Sequence, residues 1–256
     1  MDDGLVKCLG LEKRFGGIRA VEGVYLSLNE GVFSLLIGPN GSGKSTLINL
    51  IAGYYYPDEG KILMNGEDIT HLKPHERFGI GIIRTFQTAR IFPSLTVLDN
   101  LLIAAGMMVG EKIRYAPFRR RWIREELALT ERALHIMELV GLDKLKDQPA
   151  GKLSGGQMKL LELGRVIMSG AKVILMDEPT AGLNPVIAES VLSHIRSSVY
   201  ELRLATLLVE HRLDLAIKHA DRVLAMFNGR LIADGSPEHV LSIPDVVESY
   251  LGEKLA

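Results

Sequence analysis

GPNGSGKS, at residues 38–45, matches the pattern G-x-x-x-x-G-K-[ST] at every position. A nearly continuous apolar run at residues 32–37 precedes it and predicts a buried strand, and the apolar spacing through residues 47–51 predicts a helix after it. Glycines allow the backbone of such a loop to curl so that several N–H groups point inward, and the helix N-terminus adds partial positive charge. The sequence therefore predicts a loop that binds the phosphate groups of a nucleotide.

Two side chains of this loop have predicted roles of their own. Lys44 is expected to neutralise the β- and γ-phosphates, and the Ser45 hydroxyl is expected to ligate Mg²⁺. The candidate nucleotide-binding residues are Gly38, Pro39, Asn40, Gly41, Ser42, Gly43, Lys44, Ser45 and Thr46.

A pair of carboxylates follows another apolar stretch later in the chain. Residues 173–176 read Val-Ile-Leu-Met, and Asp177 and Glu178 come directly after them. A strand of this kind is buried and delivers its last polar residues to the edge of the sheet, where ligands bind in α/β folds. We expect Asp177 to hold Mg²⁺, directly or through water, and Glu178 to orient or deprotonate the attacking water.

The composition limits the classes of protein that fit. The chain has 256 residues, of which 47% are hydrophobic and 24% charged, and its net charge is −1. This balance indicates a folded domain and offers no basic footprint for nucleic acid. A single cysteine, Cys8, cannot form an internal disulfide and favours a reducing compartment. No signal-peptide pattern is visible and no apolar run approaches the ~20 residues that span a bilayer, so we expect any membrane role to go through a partner.

Strand-like and helix-like segments alternate along the chain, which predicts an α/β fold with a mainly parallel sheet core. An antiparallel β portion is expected beside that core, and the helical periodicity of residues 96–140 predicts an inserted α-helical subdomain. We predict one domain over residues 1–256, with a core lobe at residues 1–86 and 170–256 and a helical lobe at about residues 87–169. Strands are predicted at residues 5–11, 24–28, 61–64, 80–86, 172–176 and 230–233, with a tight turn at Asn65-Gly66 and a helix end at Gly53.

The motif LSGGQ lies between the phosphate loop and the acidic strand, at residues 153–157. Its glycines expose backbone N–H groups at a predicted helix N-terminus and Ser154 adds a hydroxyl, which together make a second anion-binding surface. In this order, the motif resembles the signature of the ABC-type ATPases. The resemblance covers residues 5–251 and implies the P-loop NTPase fold of the ABC ATPase type.

Further residues match motifs of the same family. Phe15 occupies the position of an aromatic residue that stacks on adenine. Gln87 resembles the Q-loop glutamine that contacts Mg²⁺ and the lytic water, and His211 resembles the switch histidine near the γ-phosphate. Asn184 stands where the family commonly has Asp, so it can form hydrogen bonds but supplies no charge. The resemblance implies catalytic roles for Glu178, His211, Gln87 and Lys44, metal contacts from Ser45, Gln87 and Asp177, and ATP contacts from Phe15, Ser154, Gly155, Gly156 and Gln157.

The resemblance also implies partners. Two ATPase subunits, identical or related, would form a head-to-tail dimer in which each ATP lies between one subunit's phosphate loop and the other's LSGGQ. Closure on ATP and release after hydrolysis would drive transmembrane permease subunits, which places the chain peripherally at the cytoplasmic side of the cell membrane. No nucleic-acid partner is expected.

Several stretches are similar to the ATP-binding subunits of bacterial and archaeal branched-chain amino-acid importers. This subgroup implies an extracytoplasmic solute-binding protein as an indirect partner. Two alternatives stay open: the ATPase of another ABC system, such as lipopolysaccharide export, and an ABC-type ATPase that acts on nucleic acid or ribosomes. The similar stretches are residues 84–87, 91–92, 153–160, 177–185 and 210–214, with an insertion at residues 115–122.

Overall fold

The computed structural model describes residues 4–85, 91–106 and 119–248, except for the side chains of residues 119–121. Its helices and strands, in chain order, are β1 Val6–Phe15, β2 Ile18–Leu28, β3 Phe33–Ile37, α1 Lys44–Ala52, β4 Glu59–Met64, β5 Glu67–Asp68, α2 Pro74–Gly79, β6 Ile82–Arg84, α3 Val97–Ala104, α4 Arg119–Leu139, α5 Gly155–Met168, β7 Val173–Asp177, α6 Pro185–Glu201, β8 Ala205–Val209, α7 Leu213–Ala216, β9 Arg222–Phe227, β10 Arg230–Gly235 and α8 Pro237–Leu241.

The chain divides into two compact units. The first comprises Met1–Gln87, Lys172–Ala181 and Val199–Ala256, and the second comprises Thr88–Ala171 and Gly182–Ser198. The sequence analysis assigned residues 182–198 to the core lobe, whereas in the structure they belong to the second unit. The assignment of functions to the two lobes stays a prediction.

The first unit contains two β-sheets. One is antiparallel, with the strand order β2-β1-β4-β5. The other has the order β10-β9-β3-β8-β7-β6, and every pair in it is parallel except β10 with β9. The predicted α/β fold, with a mainly parallel core and an antiparallel β portion, is confirmed.

Burial explains why the central strands are mostly apolar. All residues of β3, β7 and β8 are buried, because other parts of the protein cover both faces of this sheet. Asn65-Gly66 and Asn228-Gly229 make the tight turns that such pairs favour: φ is 51° and 83° at Asn65 and Gly66, and 45° and 83° at Asn228 and Gly229. Gly53 ends α1 with a φ of 81°, as predicted.

One predicted strand is too long. Only Ile82–Arg84 of residues 80–86 is described as a strand, and α2 occupies Pro74–Gly79 directly before it. Pro74 fixes a helical φ at the first position, where its missing N–H costs nothing, and the Glu76 carboxylate accepts from the Lys73 N–H. Ile80 ends that helix in the α conformation, so the apolar residues at its end do not belong to the sheet.

Helices make up most of the second unit, in which α3 packs against α4 and α5. Thr96 and Asp99 form a capping box at the start of α3. On α5, Gly164 permits the close approach of α3, because a Cβ there would lie 3.0 Å from Leu101 Cδ2. Within the described ranges, no helix combines the length and apolar character needed to cross a membrane.

A buried arginine in α2, Arg77, closes the C-terminal end of α1. Its side chain is 0% exposed, and burial lowers its pKa to about 10, so it remains charged at neutral pH. The last carbonyls of a helix lack intrahelical partners, and Arg77 supplies donors to two of them. Its guanidinium donates hydrogen bonds of 2.5–3.1 Å to the backbone oxygens of Leu50, Ile51, Ile69, Thr70 and Leu72.

Replacing this arginine is expected to destabilise the protein, because Arg77→Met removes the buried donors that these five carbonyls bind. We expect a loss of about 3 kcal/mol or more, which corresponds to a fall in Tm of roughly 6 °C or more. Thermal unfolding measures it. The matched control is Arg203→Met, because Arg203 is exposed and its nearest carboxylate oxygen, on Glu30, is 3.9 Å away. Equal Tm values for the two variants would contradict a structural role for Arg77.

Candidate functional site

The loop at residues 38–45 joins β3 to α1 and depends on two glycines. A Cβ on Gly38 would lie 2.1 Å from the backbone oxygen of Met226, and one on Gly43 would lie 2.2 Å from that of Ala20. Their φ angles are 151° and 105°, which side chains rarely permit. The loop is therefore wedged against two neighbouring strands, and only glycine fits at these positions.

Two polar side chains of the loop point to an anionic ligand. Lys44 begins α1, is buried, and its Nζ donates to the backbone oxygens of Gly38 and Pro39, each at 2.7 Å. The Ser42 hydroxyl is buried and has no hydrogen-bond partner among the described residues. A buried hydroxyl is costly without a partner, and a phosphate oxygen would supply one. Together with the N-terminus of α1, the loop has the features of a phosphate site.

The carboxyl ends of β7 and β8 bring Glu178 and His211 together. Asp177 pairs with Val209 in the parallel ladder, so the residues that follow each strand leave the sheet side by side. His211 Nε2 lies 2.9 Å from Glu178 Oε1, and both side chains are partly exposed. Glu178 has a φ of 51°, in the left-handed region, which is uncommon for a residue with a side chain. Outliers of this kind concentrate at functional sites.

Asp177, the last residue of β7, forms an ion pair that the sequence analysis did not predict. Arg84 Nη2 lies 3.1 Å from its Oδ2, and Arg84 Nη1 donates to Asn49 Oδ1 on α1. Arg84 also lies over the ring of Tyr54, with 5.7 Å between Cζ and the ring centroid. The predicted metal-binding carboxylate is thus held by an arginine that also contacts the phosphate-loop helix.

A cleft of about 250 Å³ brings the predicted residues of the first unit together. Eight of its lining residues were predicted: Asn40, Gly41, Gly43, Lys44, Ser45, Thr46, Glu178 and His211. Ile18, Ala20 and Val209 also line it and were missed, because nothing in their local sequence distinguishes them from ordinary strand residues. The predicted phosphate-binding loop and the segments that carry Glu178 and His211, distant in sequence, therefore share one cleft.

The predicted adenine-stacking residue, Phe15, lies at the end of β1 beside this cleft. It pairs with Ile18 across the β1–β2 turn, and the two side chains are 43% and 72% exposed. Tyr55 packs edge-to-face against Phe15 with 5.2 Å between ring centroids. An apolar, exposed ring supported from the side is suited to stacking on a base. The stacking role itself stays a prediction.

In the second unit, the LSGGQ residues form the start of α5. The Ser154 Oγ accepts from the Gln157 N–H at 3.4 Å, and the Gln157 Oε1 accepts from the Ser154 N–H at 2.9 Å. This capping box leaves the N–H groups of Gly155 and Gly156 at the first two helical positions, where no intrahelical acceptor exists. The motif therefore builds the helix N-terminus that the sequence predicted.

Asn184 has a local role as well. Its Oδ1 accepts from the Ile187 N–H at 2.9 Å, so it caps α6, and Pro185 follows at the first helical position.

The predicted Gln87 lies outside the described residues, and so do residues 115–118 of the predicted insertion.

Comparison with known proteins agrees with this geometry. Residues 21–181 match the family described as ABC transporter, and residues 230–256 match a second, described as branched-chain amino acid ATP-binding cassette transporter. A protein of Archaeoglobus fulgidus, described as the probable branched-chain amino acid transport ATP-binding protein LivG, is 44% identical over 248 residues, which cover 97% of this chain and 95% of that protein.

Two solved structures are also similar. One is the ADP conformation of an ATP-binding cassette of an ABC transporter, with a TM-score of 0.81 and 42% identity, covering 97% of this chain and 98% of that one. The other is a dimeric post-hydrolysis state of an ATP-binding cassette bound to ADP and Pi. Its TM-score is 0.68 and its identity 25%, and the match covers 91% of this chain and 98% of that one.

The chain belongs to the ABC transporter family, since the family match covers more than half of it and the similar protein matches almost its whole length. Within that family it is an ATP-binding and ATP-hydrolysing subunit.

The second glycine of LSGGQ is expected to be required for packing. A Cβ on Gly156 would lie 2.4 Å from Ile187 Cγ2, whereas one on Gly155 would meet nothing closer than 3.5 Å, at Leu183. Alanine is otherwise the better helix former. We therefore expect Gly156→Ala to lower the free energy of unfolding by about 1–3 kcal/mol and Gly155→Ala to leave it unchanged or higher, as measured by thermal unfolding. A Gly156→Ala variant as stable as Gly155→Ala would refute this packing role.

Proposed function

We propose that this ATPase energises the import of branched-chain amino acids, as a peripheral subunit at the cytoplasmic side of a membrane. The match of residues 230–256 and the printed description of the Archaeoglobus relative support this solute class. The proposed partners are a second ATPase subunit, identical or related, a pair of transmembrane permease subunits and, indirectly, an extracytoplasmic solute-binding protein. ABC ATPase cassettes work as dimers with permeases, and one similar structure is itself a dimer.

The observation that carries the catalytic proposal is the shared cleft. Lys44 and Ser45 of the phosphate loop line it together with Glu178 and His211, whose side chains are 2.9 Å apart. A phosphate chain held by the loop would lie beside a carboxylate that can act on water, and this supports the catalytic proposal. We assign the hydrolytic site to these four residues.

ATP is held first through its phosphates. Backbone N–H groups of the loop and the N-terminus of α1 surround the phosphate oxygens, and Lys44 neutralises the β- and γ-phosphates. The buried Ser42 hydroxyl gains an acceptor in the same step. Phe15 stacks on the adenine from the rim of the cleft.

Hydrolysis then uses the strand ends. Glu178 orients a water molecule for in-line attack on the γ-phosphorus and accepts its proton, and ADP is the leaving group. His211 holds the Glu178 carboxylate and lies in the cleft where the γ-phosphate is expected. We propose that Gln87 completes this arrangement by contacting the same water.

The donors near the loop suit Mg²⁺. The Ser45 hydroxyl, the Asp177 carboxylate and the Gln87 amide are hard oxygen donors, and Mg²⁺ typically takes one or two such protein ligands together with phosphate oxygens. When bound, the ion neutralises charge that develops on the phosphates. Asp177 would share its carboxylate between the ion and Arg84, which lies 3.1 Å away.

The dimer completes each site. Ser154, Gly155, Gly156 and Gln157 of one subunit are proposed to cap the ATP held by the other, because a helix N-terminus carries partial positive charge that favours the γ-phosphate. Loss of that phosphate removes the bridge and lets the subunits separate.

The catalytic assignment predicts the behaviour of Glu178→Gln. The amide keeps the shape of the side chain but is a far weaker base, so we expect kcat to fall by about 100-fold or more while ATP still binds. The variant is expected to accumulate as an ATP-bound dimer, detected by size-exclusion chromatography with light scattering. Glu67→Gln, an exposed residue of β5, is the control and should hydrolyse ATP normally. A Glu178→Gln protein that stays monomeric with saturating ATP would contradict the dimer mechanism.

The solute class is tested separately, in cells or vesicles that contain the chain with its permease subunits and solute-binding protein. Uptake of radiolabelled leucine, isoleucine and valine is expected with the natural chain and is expected to disappear with Glu178→Gln. Normal ATP hydrolysis without uptake of any of the three would reject the proposed solute and leave the ATPase assignment intact.

A further inference from the structure

Beside the Glu178–His211 pair lies a second cross-strand contact that the mechanism above does not use. Glu210 follows β8 and is 5% exposed, and Thr180 follows β7 by three residues and is 1% exposed. Glu210 Oε1 accepts two hydrogen bonds from Thr180, one from the backbone N–H at 2.8 Å and one from the hydroxyl at 2.6 Å. A buried carboxylate oxygen thus binds both donors of a single residue.

This contact is one of three successive contacts between the two segments that carry the proposed catalytic pair. The Glu178 N–H donates to the Val209 oxygen at 2.9 Å, which extends the ladder by one step beyond β7. Next come the bonds from Thr180 to Glu210, and then the Glu178–His211 contact at 2.9 Å. Residues 178–180 and 209–211 are therefore joined at three successive points, and Glu210 supplies the one that binds a buried side chain to a buried side chain.

We propose that Glu210 is a positioning residue that, through Thr180, fixes Glu178 and His211 in their reactive arrangement. The proposal rests on the catalytic roles assigned above to Glu178 and His211. Glu210 and His211 are neighbours in the chain, as are the residues from Glu178 to Thr180. A bond between Glu210 and Thr180 therefore fixes the distance between the two segments that carry the reacting side chains.

The backbone conformation of Glu178 shows why the hydrogen bonds between Thr180 and Glu210 are needed. A non-glycine residue at a φ of 51° is strained by roughly 1–2 kcal/mol, and it stays there only when the surroundings hold it. The Ala181 N–H donates to the Glu178 oxygen at 3.1 Å and closes a turn, but that bond lies within the loop itself. The bonds from Thr180 to Glu210 connect this turn to the neighbouring strand.

A set of graded substitutions separates positioning from general stabilisation. Glu210→Met keeps the length of the side chain and removes the acceptor, whereas Glu210→Gln keeps a carbonyl oxygen that can accept from Thr180. Thr180→Val removes only the hydroxyl bond, and Thr180→Ser keeps both donors. The matched control is Thr206→Val on β8, because Thr206 is also 1% exposed and its hydroxyl donates to a backbone oxygen, that of Val32, at 3.1 Å.

The readouts are kcat, the Kd for ATP and the Tm of the purified full chain. We expect Glu210→Met to lower kcat by about 10- to 100-fold, as misplacement of a reacting group by about 1 Å does, with ATP Kd changed by less than about 3-fold. Thr180→Val should lower kcat by roughly 3- to 10-fold, while Glu210→Gln, Thr180→Ser and Thr206→Val stay within about 2-fold of the unaltered chain.

A double-variant cycle identifies the route of the effect. If Glu210 acts through Glu178 and His211, adding Glu210→Met to a Glu178→Gln, His211→Ala chain should slow single-turnover hydrolysis by less than about 2-fold further, because both positioned side chains are already gone. An undiminished effect in that background would overturn the proposal. So would folded Glu210→Met and Thr180→Val proteins with unaltered kcat, or a weakening of ATP binding as large as the loss of kcat.

Two further outcomes are also decisive. If Glu210→Met fails to fold, the proposal is tested by comparing Thr180→Val with Thr180→Ser. If both Glu210→Met and Thr180→Val fail to fold, the contact serves folding only, and the proposal is overturned. If the catalytic role proposed for Glu178 is itself wrong, Glu178→Gln will have the same kcat as the unaltered chain. That result is distinguishable from a failure of the role proposed for Glu210.

Discussion

Strands β3, β8 and β7 lie side by side and parallel, and the site depends on the fact that their carboxyl ends meet at one edge of the sheet. The phosphate loop leaves β3, the segment 177–180 leaves β7 and the segment 209–211 leaves β8. Because both faces of these strands are buried, a slip of one residue in their register would exchange side chains of different size between two close-packed faces, so packing opposes it. The core thereby sets the distance between Lys44, the proposed phosphate-binding lysine, and Glu178, the proposed catalytic carboxylate.

Much of this site could be predicted from sequence because its strongest features are local. Glycines and a lysine within eight residues define the phosphate loop, and the structure shows why Gly38 and Gly43 tolerate no side chain. The acidic strand end is equally local, because four apolar residues followed directly by two carboxylates predict a buried strand that ends in polar side chains at the edge of the sheet. In the structure Asp177 is buried and Glu178 is partly exposed. The fold class follows from the same alternation of buried strands and helices.

Contacts between distant segments were not predicted. Arg84 pairs with Asp177 across 93 positions, and Glu210 binds Thr180 across 30, so each depends on which strands become neighbours. Arg77 is a further example, because a lone arginine in a short helix gives no sign that it is buried against the end of α1. Periodicity also failed at residues 80–86, where a helix end and a short strand have similar apolar composition.

Several motif residues serve the fold as well as the proposed chemistry. Ser154 and Gln157 cap α5, Gly156 allows α6 to approach, and Asn184 caps α6. Loss of activity on substitution at these positions therefore has two sources, and stability has to be measured beside activity. Substitutions in the phosphate loop and at the strand ends give activity changes that are easier to interpret, because these segments meet in the cleft.

The most direct measurement is an experimental structure of the Glu178→Gln chain with Mg²⁺ and ATP. The account predicts that the γ-phosphate lies in the cleft between the Lys44 ammonium and the side chains at positions 178 and 211, with Thr180 still bound to Glu210. It also predicts the Ser154 helix start of a second subunit on the same phosphate. ATP bound away from the loop at residues 38–45, or a phosphate that no residue of the β7 and β8 ends approaches, would contradict it.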